Sequence, residues 1–385
     1  MRRLLILVAV LVLVDTMLYA ALVPLLPRFT HQFGLSKAGA GALVAAYAAG
    51  ALLGSLPGGF AASHWGVRRA VLTGLALMGL ASLGFAFASS VPTLFAARIV
   101  QGAGSAFTWA GAFAWLLAAA PARRRGEMIG IAMGAAVFGA LIGPLLGALA
   151  ALAGRGAVFS ALSALAVALA AITIRIEPAA TQAASGAALR GAFANRTFAG
   201  GLLLLALGSL LFGIVDVLAP LHLSAHGWGA GAIGAIWVAG AALETVQSPM
   251  LGRLSDRRGA LVPARIALGL GAALSLGLAT GARPLIYAPL LVATSAAYGA
   301  LFTPSFALIA DGAESAGLAQ GLAFGVMNAA WALGALVGPA AGGALASATG
   351  DWIPLLVAAA MCAGTLAMLR GRLREGARSP SVRMG

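Results

Sequence analysis

Apolar runs of about 20 residues follow one another along nearly the whole chain, separated by short polar breaks. That is the length a helix needs to cross the hydrocarbon core of a bilayer. Judged by length, the pattern predicts twelve helical spans, at 4–27, 40–62, 70–89, 93–119, 128–153, 157–175, 198–222, 231–251, 263–281, 285–310, 319–347 and 352–370. The longest connection, "IEPAATQAASGAALRGAFANR" (Ile176–Arg196), is polar and rich in Ala and Ser, and it reads as a linker. The predicted organisation is an N-terminal six-helix bundle (1–175), a linker (176–197), a C-terminal six-helix bundle (198–370) and a tail (371–385). The expected fold class is an all-α polytopic membrane protein.

Composition agrees. Hydrophobic residues make up 61% of the chain and charged residues 9%, with mean hydropathy +1.00, whereas soluble domains are about a quarter charged. The formal charge of +14 raises nucleic-acid binding, yet no aromatic-basic platform accompanies it. The arginines instead mark alternate connections: Arg2–Arg3, Arg68–Arg69, Arg123–Arg124–Arg125, Arg253/Arg257/Arg258 and the tail from Arg370. The opposite connections hold Arg28, Lys37, Arg155 and Arg283. By the positive-inside rule both termini and the linker are expected in the cytoplasm. The basic start and apolar run "MRRLLILVAVLVLV" mimic a secretory signal, but the run continues to Pro24 and Pro27, so a retained first span is expected. Arginine used almost to the exclusion of lysine, with abundant Ala and Gly, points to a GC-rich bacterial genome and to the inner membrane. Cys362 sits within an apolar run, has no partner for a disulfide, and reads as a small core residue.

The two halves repeat. "FGALIGPLLGALA" (Phe138–Ala150) returns as "LGALVGPAAGGAL" (Leu333–Leu345), and "GSAFT" (Gly104–Thr108) as "GALFT" (Gly299–Thr303), each 195 positions on. The loop containing Gly59, Gly66 and Arg68 corresponds to "GRLSDRRG" (Gly252–Gly259), with Gly66 and Gly259 193 apart. Both loops fall on the basic side, so the halves share one orientation, as parallel six-helix repeats do.

These segments resemble the major facilitator superfamily, and within it the drug:proton antiporters. "GRLSDRRG", with Gly252, Asp256, Arg257 and Gly259, fits the family's loop signature G-x-L-x-D-R-x-G-R. The first copy departs from it at Ser63 and His64, where the family has aspartate and arginine. R-x-x-Q-G-x-G appears at Arg98–Gly104, and the exporter pattern G-x-x-x-G-P-x-x-G at Gly139, Gly143, Pro144 and Gly147. Asp15–Thr16–Met17–Leu18 followed by Pro24 and Pro27 is similar to the first span of vesicular amine transporters, without their asparagine. The resemblance implies a proton-coupled exporter of lipophilic or cationic small molecules working by alternating access. Proton-coupled movement of a sugar or other metabolite is the alternative. It also implies that Asp256 closes an inner gate.

Four charges fall at membrane depth: Asp15, Arg98, Asp216 and Glu244. An ionised side chain at a helix centre costs about 2.5–3.5 kcal/mol on insertion scales. A carboxylate avoids much of that by taking a proton, so a buried acid facing a gated cavity is a natural proton carrier. The plainer reading is that Asp15 is a structural partner of Arg98. Glu244, one turn before Gln247, is a candidate second site or a helix–helix hydrogen-bonding group, and Asp216 reads as closer to the interface. Tyr19, Gln101, Phe107, Trp109, Gln247, Asn328 and Trp331 are candidate cavity residues, with helix packing as the alternative for each aromatic. Gly139, Gly143 and Gly147, echoed by Gly334, Gly338, Pro339 and Gly342, give a smooth helix face, expected at the contact between the halves, where Pro144 favours a bend.

Rival functions lack their parts. The only lysine is Lys37, so no phosphate loop ending in Gly-Lys-Ser/Thr is present. His31, His64, His222 and His226 lie at loops or span ends without a metal-ligand or nucleophile set. The chain is expected not to be an enzyme, to use no cofactor or metal, to draw on a proton gradient, and to act as a monomer with substrate, protons and lipid as partners.

Overall fold

The computed structural model describes residues 1–121, 124–177, 186–318 and 320–378. Arg123, much of the expected linker and the end of the tail lie outside them. Fifteen α-helices and one 3-10 turn make up the described chain. They are α1 (Arg2–Ala20), the 3-10 turn (Val23–Leu25), α2 (Leu26–Phe33), α3 (Lys37–His64), α4 (Val67–Phe87), α5 (Val91–Ala119), α6 (Arg125–Ala153) and α7 (Arg155–Ile174). They continue with α8 (Gly186–Ala194), α9 (Arg196–Ala225), α10 (Ala230–Arg258), α11 (Leu261–Ala279), α12 (Pro284–Gly299), α13 (Phe302–Ser315), α14 (Gln320–Thr349) and α15 (Trp352–Arg378).

Eleven helical segments among the described residues are long and apolar enough to cross a membrane. The 29-residue α5 is long enough as well, but Arg98, Gln101, Ser105 and Thr108 lower its hydropathy, and it stands outside those eleven. Two expected spans are broken. The first yields to a 3-10 turn and then α2, with Pro24 and Pro27 at the early helical positions where the missing N–H is harmless. The tenth breaks between Gly299 and Phe302, dividing α12 from α13. The linker region contains a short helix, α8, that the apolar pattern did not predict. Several helices start on a side-chain cap: Ser36 Oγ accepts from Gly39 N at 3.1 Å and Asn195 Oδ1 from Thr197 N at 2.9 Å. Gly66 and Gly259, at φ +90° and +82°, make the matched left-handed turns into α4 and out of α10 that a side chain would strain.

Helices α1 and α3–α7 pack mainly on one another, as do α9–α15; the two groups meet where α3 crosses α14 and α6 crosses α10. The glycine faces were expected at that meeting, and the structure corrects this. A Cβ at Gly139 would strike Leu13 O and at Gly147 Ala21 O, so this face seats α6 on α1. Gly143 likewise faces Ala20 and Met17. Gly334 and Gly338 face Ala206 O and Leu210 O, and Gly342 faces Ile214, seating α14 on α9. Both faces are internal to a bundle because a side-chain-free surface lets the backbones close up there. The contact between bundles runs instead through the carbonyls of Pro144 and Pro339, which face Gly234 on α10 and Gly41 on α3.

The N-terminus, the α3–α4 turn and the α10–α11 turn lie at one end of the bundles, here called the terminal end. At the opposite end Lys37 pairs with Asp351, and Ala38 N donates to Ser347 Oγ at 2.8 Å; both contacts bridge the bundles. At the terminal end the expected gate residues Asp256 and Arg257 are exposed, and an added Cβ at Gly59, Gly66, Gly252 or Gly259 would meet open space. Arg68 donates to Ile174 O at 3.3 Å, within its own bundle.

Candidate functional site

The site is built on α5, where Arg98, Gln101, Ser105 and Trp109 recur at helical spacing and point one polar stripe toward α1 and α3. Opposite the stripe, on α1, Asp15 is 1% exposed. Its Oδ2 accepts from Ser105 Oγ at 2.7 Å and from Trp109 Nε1 at 2.7 Å. Tyr47 Oη lies 3.3 Å from the same oxygen and 2.8 Å from Ser105 Oγ, so its single hydrogen serves one of them at a time. The other oxygen, Oδ1, is buried with no hydrogen-bond partner among the described residues. One oxygen is thus fixed by donors and the other is left unpaired.

Arg98 is as deeply buried, and it does not pair directly with Asp15. Its Nη1 donates to Gln101 Oε1 at 2.9 Å, and its guanidinium lies over the rings of Tyr47 and Tyr19, 5.0 and 5.7 Å from their centroids. Tyr47 therefore stands between the two charges, touching Asp15 with its hydroxyl and Arg98 with its face. Trp331 of α14 completes the cluster edge-on, 5.4 Å from Tyr19 and 6.4 Å from Tyr47, and so brings the second bundle against the first.

Across a cavity of about 320 Å³ the second bundle supplies Asp216 on α9 and Glu244 on α10. Trp237 Nε1 donates to Asp216 Oδ1 at 2.9 Å, an indole-to-carboxylate bond like that of Trp109 with Asp15. Asp216 was expected near the interface; it is buried and lines the cavity with Glu244. Most of the remaining wall is apolar or aromatic, from residues such as Phe212, Phe302, Phe306, Met133 and Met327. Of the candidates from sequence, Tyr19, Trp109, Asn328 and Trp331 lie in the cavity lining.

Three expected lining residues are placed elsewhere. Gln101 is committed to Arg98, and Gln247 Nε2 donates to Ala296 O at 2.6 Å. Phe107 packs with Ala61, Ala62 and Ala70 on the far side of α5. Sequence reasoning missed Tyr47, Ser105 and Trp237. Two of them were readable: Ser105 lies seven positions after Arg98, and Trp237 seven before Glu244, each on the same helix face. Tyr47 had no such neighbour in its helix.

Two packed helical bundles with buried ionisable groups around a shared cavity are an architecture found in membrane transporters. The family model for the Major Facilitator Superfamily matches residues 7–327, and the chain belongs to that family. Among named relatives, MFS-type transporter ppzB of Metarhizium rileyi (strain RCEF 4871) is 32% identical over 121 residues, 30% of this chain and 25% of the relative. A probable vesicular acetylcholine transporter-B of Danio rerio is 40% identical over 114 residues, 28% of this chain and 23% of the relative. The match therefore spans about a quarter of each relative's length. Among solved structures, a D-xylose–proton symporter superposes with TM-score 0.76 at 14% identity, covering 95% of this chain and 96% of that one. The nucleoside transporter NupG gives TM-score 0.75 at 16% identity, covering 96% and 99%. A bacterial homologue of the human lysosomal transporter Spinster, in an inward-facing and unoccupied conformation, gives 0.73 at 15%, covering 95% of each chain. At these identities the likeness is one of fold.

Proposed function

We propose that this protein is a proton-coupled antiporter that exports lipophilic or cationic small molecules, with Asp15 as the group at which proton and substrate exchange. The observation that carries the reading is Asp15, which lines an aromatic cavity that two further acids share and keeps one carboxylate oxygen, Oδ1, unpaired. A carboxylate with one free oxygen accepts either a proton or an ammonium, and aromatic faces favour the organic cation. Competition for one oxygen gives exchange without a further coupling device. The partial identity to a vesicular acetylcholine transporter homologue supports the same substrate class.

The names of two structural neighbours raise sugar or nucleoside transport instead. Such ligands call for convergent hydroxyl and amide groups. Of the cavity's neutral hydroxyl and amide side chains, Thr16 and Ser209 are committed to backbone carbonyls and Ser105 and Tyr47 to the Asp15 cluster, leaving Asn328, Ser295 and the Tyr19 hydroxyl. That inventory favours a lipophilic cation.

In this reading both termini face the cytoplasm of a bacterial inner membrane, and the six-helix bundles rock about the cavity, as parallel repeats do. Gly252, Asp256, Arg257 and Gly259, with Gly59, Gly66 and Arg68, close the terminal end in the other state. The chain performs no chemistry on its cargo. Reconstitution into liposomes with an imposed pH gradient tests the proposal, comparing lipophilic cations, primary amines, sugars and nucleosides. Gradient-driven flux of cations is expected; flux of sugars or nucleosides alone would replace this reading with the alternative.

A further inference from the structure

Glu244 reaches its place in the cavity wall by packing against a glycine. At Gly299, the last residue of α12, an added Cβ would fall on the Glu244 carboxyl carbon, 2.5 Å from Oε2 and 2.6 Å from Cγ. The glycine therefore makes a notch, and the carboxyl of Glu244 fills it. The notch sits at the break in the tenth span, where Ala300 N bonds back to Ala296 O at 2.9 Å, Leu301 N to Tyr298 O at 3.0 Å, and α13 begins at Phe302. Gln247, one turn after Glu244, caps the same break by donating to Ala296 O at 2.6 Å. Two polar side chains of α10 thus lie against the last turn of α12, at the break.

Most donors beside the notch are already engaged. Near the notch, Gln247 Nε2 spends one of its two hydrogens on Ala296 O, Thr245 Oγ1 donates to Ala241 O and Ser248 Oγ to Glu244's own carbonyl, while Ser295 lines the cavity one turn before Gly299. A neutral carboxyl rests against a glycine α-carbon at little cost, whereas an ionised one without donors does not. The charged and titratable groups facing the same cavity are Asp216 on α9, Asp15 and Tyr19 on α1, Tyr47 on α3 and Arg98 on α5. Among the described residues, helix α6 contributes none to that wall. On the other elements packed against α10, Tyr298 is bonded to Ser275 Oγ and Arg265 to Leu369 O, while Asp311 and Glu314 are exposed at the far end of α13.

We infer that Gly299 is a positioning residue for Glu244. Its notch seats the protonated carboxyl against the α12–α13 break, and ionisation drives the side chain out of the notch into the cavity, toward a cationic cargo. Glu244 thereby couples its protonation to the shape of that break. The inference deepens the antiport reading and rests on it for its role in transport, but the seat itself is a property of the resting protein.

The seat is read without transport, by pH-difference infrared spectroscopy of the purified full-length chain. The carboxyl C=O band belonging to Glu244 is the one missing in Glu244→Gln. In Gly299→Ala this band is expected to shift in frequency and titrate at a different pH from wild type, because the added methyl evicts the carboxyl. Glu244→Asp, one methylene shorter, should make Gly299→Ala nearly silent in the same measurement. An unchanged Glu244 band and midpoint in a folded Gly299→Ala protein would overturn the inference. So would an effect of Gly299→Ala that persists undiminished beside Glu244→Asp, since a plain defect in helix packing would behave that way. Flux measured in parallel keeps the two readings apart. Absence of pH-gradient-driven transport in wild type defeats the antiport reading, while the infrared result still decides the seat.

Discussion

Thr16 on α1 and Ser209 on α9 make the same bond in the two bundles. Thr16 Oγ1 lies 2.8 Å from Ala136 O on α6, and Ser209 Oγ lies 3.0 Å from Trp331 O on α14, each the shortest of three carbonyl contacts competing for one hydrogen. The two residues are 193 positions apart, as Gly66 and Gly259 are, so the repeat extends to this detail. One residue earlier the likeness ends. Asp15 precedes Thr16, whereas Gly208 precedes Ser209, and a Cβ on Gly208 would stand 3.1 Å from the ring of Phe302. An aromatic ring occupies the place where the first bundle keeps its carboxylate. By the same offsets Arg98 answers to Ala293, Asp216 to Val23 and Glu244 to Ala51. The repeat carries the packing, and the chemistry sits at positions the repeat does not share.

Substitutions can break that contrast. The largest effect is expected from Asp15→Asn, nearly isosteric, which should reduce pH-gradient-driven cation flux to the level of empty liposomes while leaving the protein folded. Asp216→Asn should leave measurable flux. Equal losses would mean that the bundles share the exchange.

Next comes packing. Gly147→Ala meets the backbone oxygen of Ala21, which cannot yield, while Gly342→Ala meets the movable Cγ1 of Ile214 at 3.0 Å. Overpacking typically costs about 1–3 kcal/mol. Gly147→Ala should fall in that range and Gly342→Ala below it, read from thermal unfolding in detergent. The reverse order would show that the matched faces are not packed as described.

The two indole bonds give a finer comparison. Trp109→Phe removes one of the donors holding Asp15, and Trp237→Phe removes the donor of Asp216. A hydrogen bond to a charged group contributes about 1.5–3 kcal/mol. Trp109→Phe should slow gradient-driven flux by about tenfold, the equivalent of about 1.4 kcal/mol, and Trp237→Phe by less, as initial rates would show. The smallest effect belongs to Lys37→Ala. Its partly exposed pair with Asp351 is worth about 0–1 kcal/mol, so the unfolding midpoint should barely move.

The fold was legible because membrane spans announce themselves by length and hydropathy, and the repeats by their glycines and prolines. The break after Gly299 was not legible. "AAYGALFTPS" carries a single proline, Pro304, which sits within the first turn of α13, and proline elsewhere leaves helices such as α6 and α14 intact. The destination of the glycine faces was equally hidden, since a smooth face says that a backbone approaches without saying whose. In the site, Asp15, Glu244 and Arg98 stood out as charged groups in apolar runs. Tyr47 did not, because a tyrosine amid alanines reads as packing until α3 is laid against α5. Asp216 was underrated because its position near the end of a span hides that α9 is buried along most of its length.

The central claim is that proton and cation compete for the free oxygen of Asp15. It is tested most directly by adding tetraphenylphosphonium, a cation that carries no titratable proton, to purified transporter in weakly buffered detergent solution with a pH indicator. The account predicts saturable proton release from wild type on binding, retained in part by Glu244→Gln and lost in Asp15→Asn. Cation binding without proton release in wild type, or undiminished release from Asp15→Asn, would contradict it.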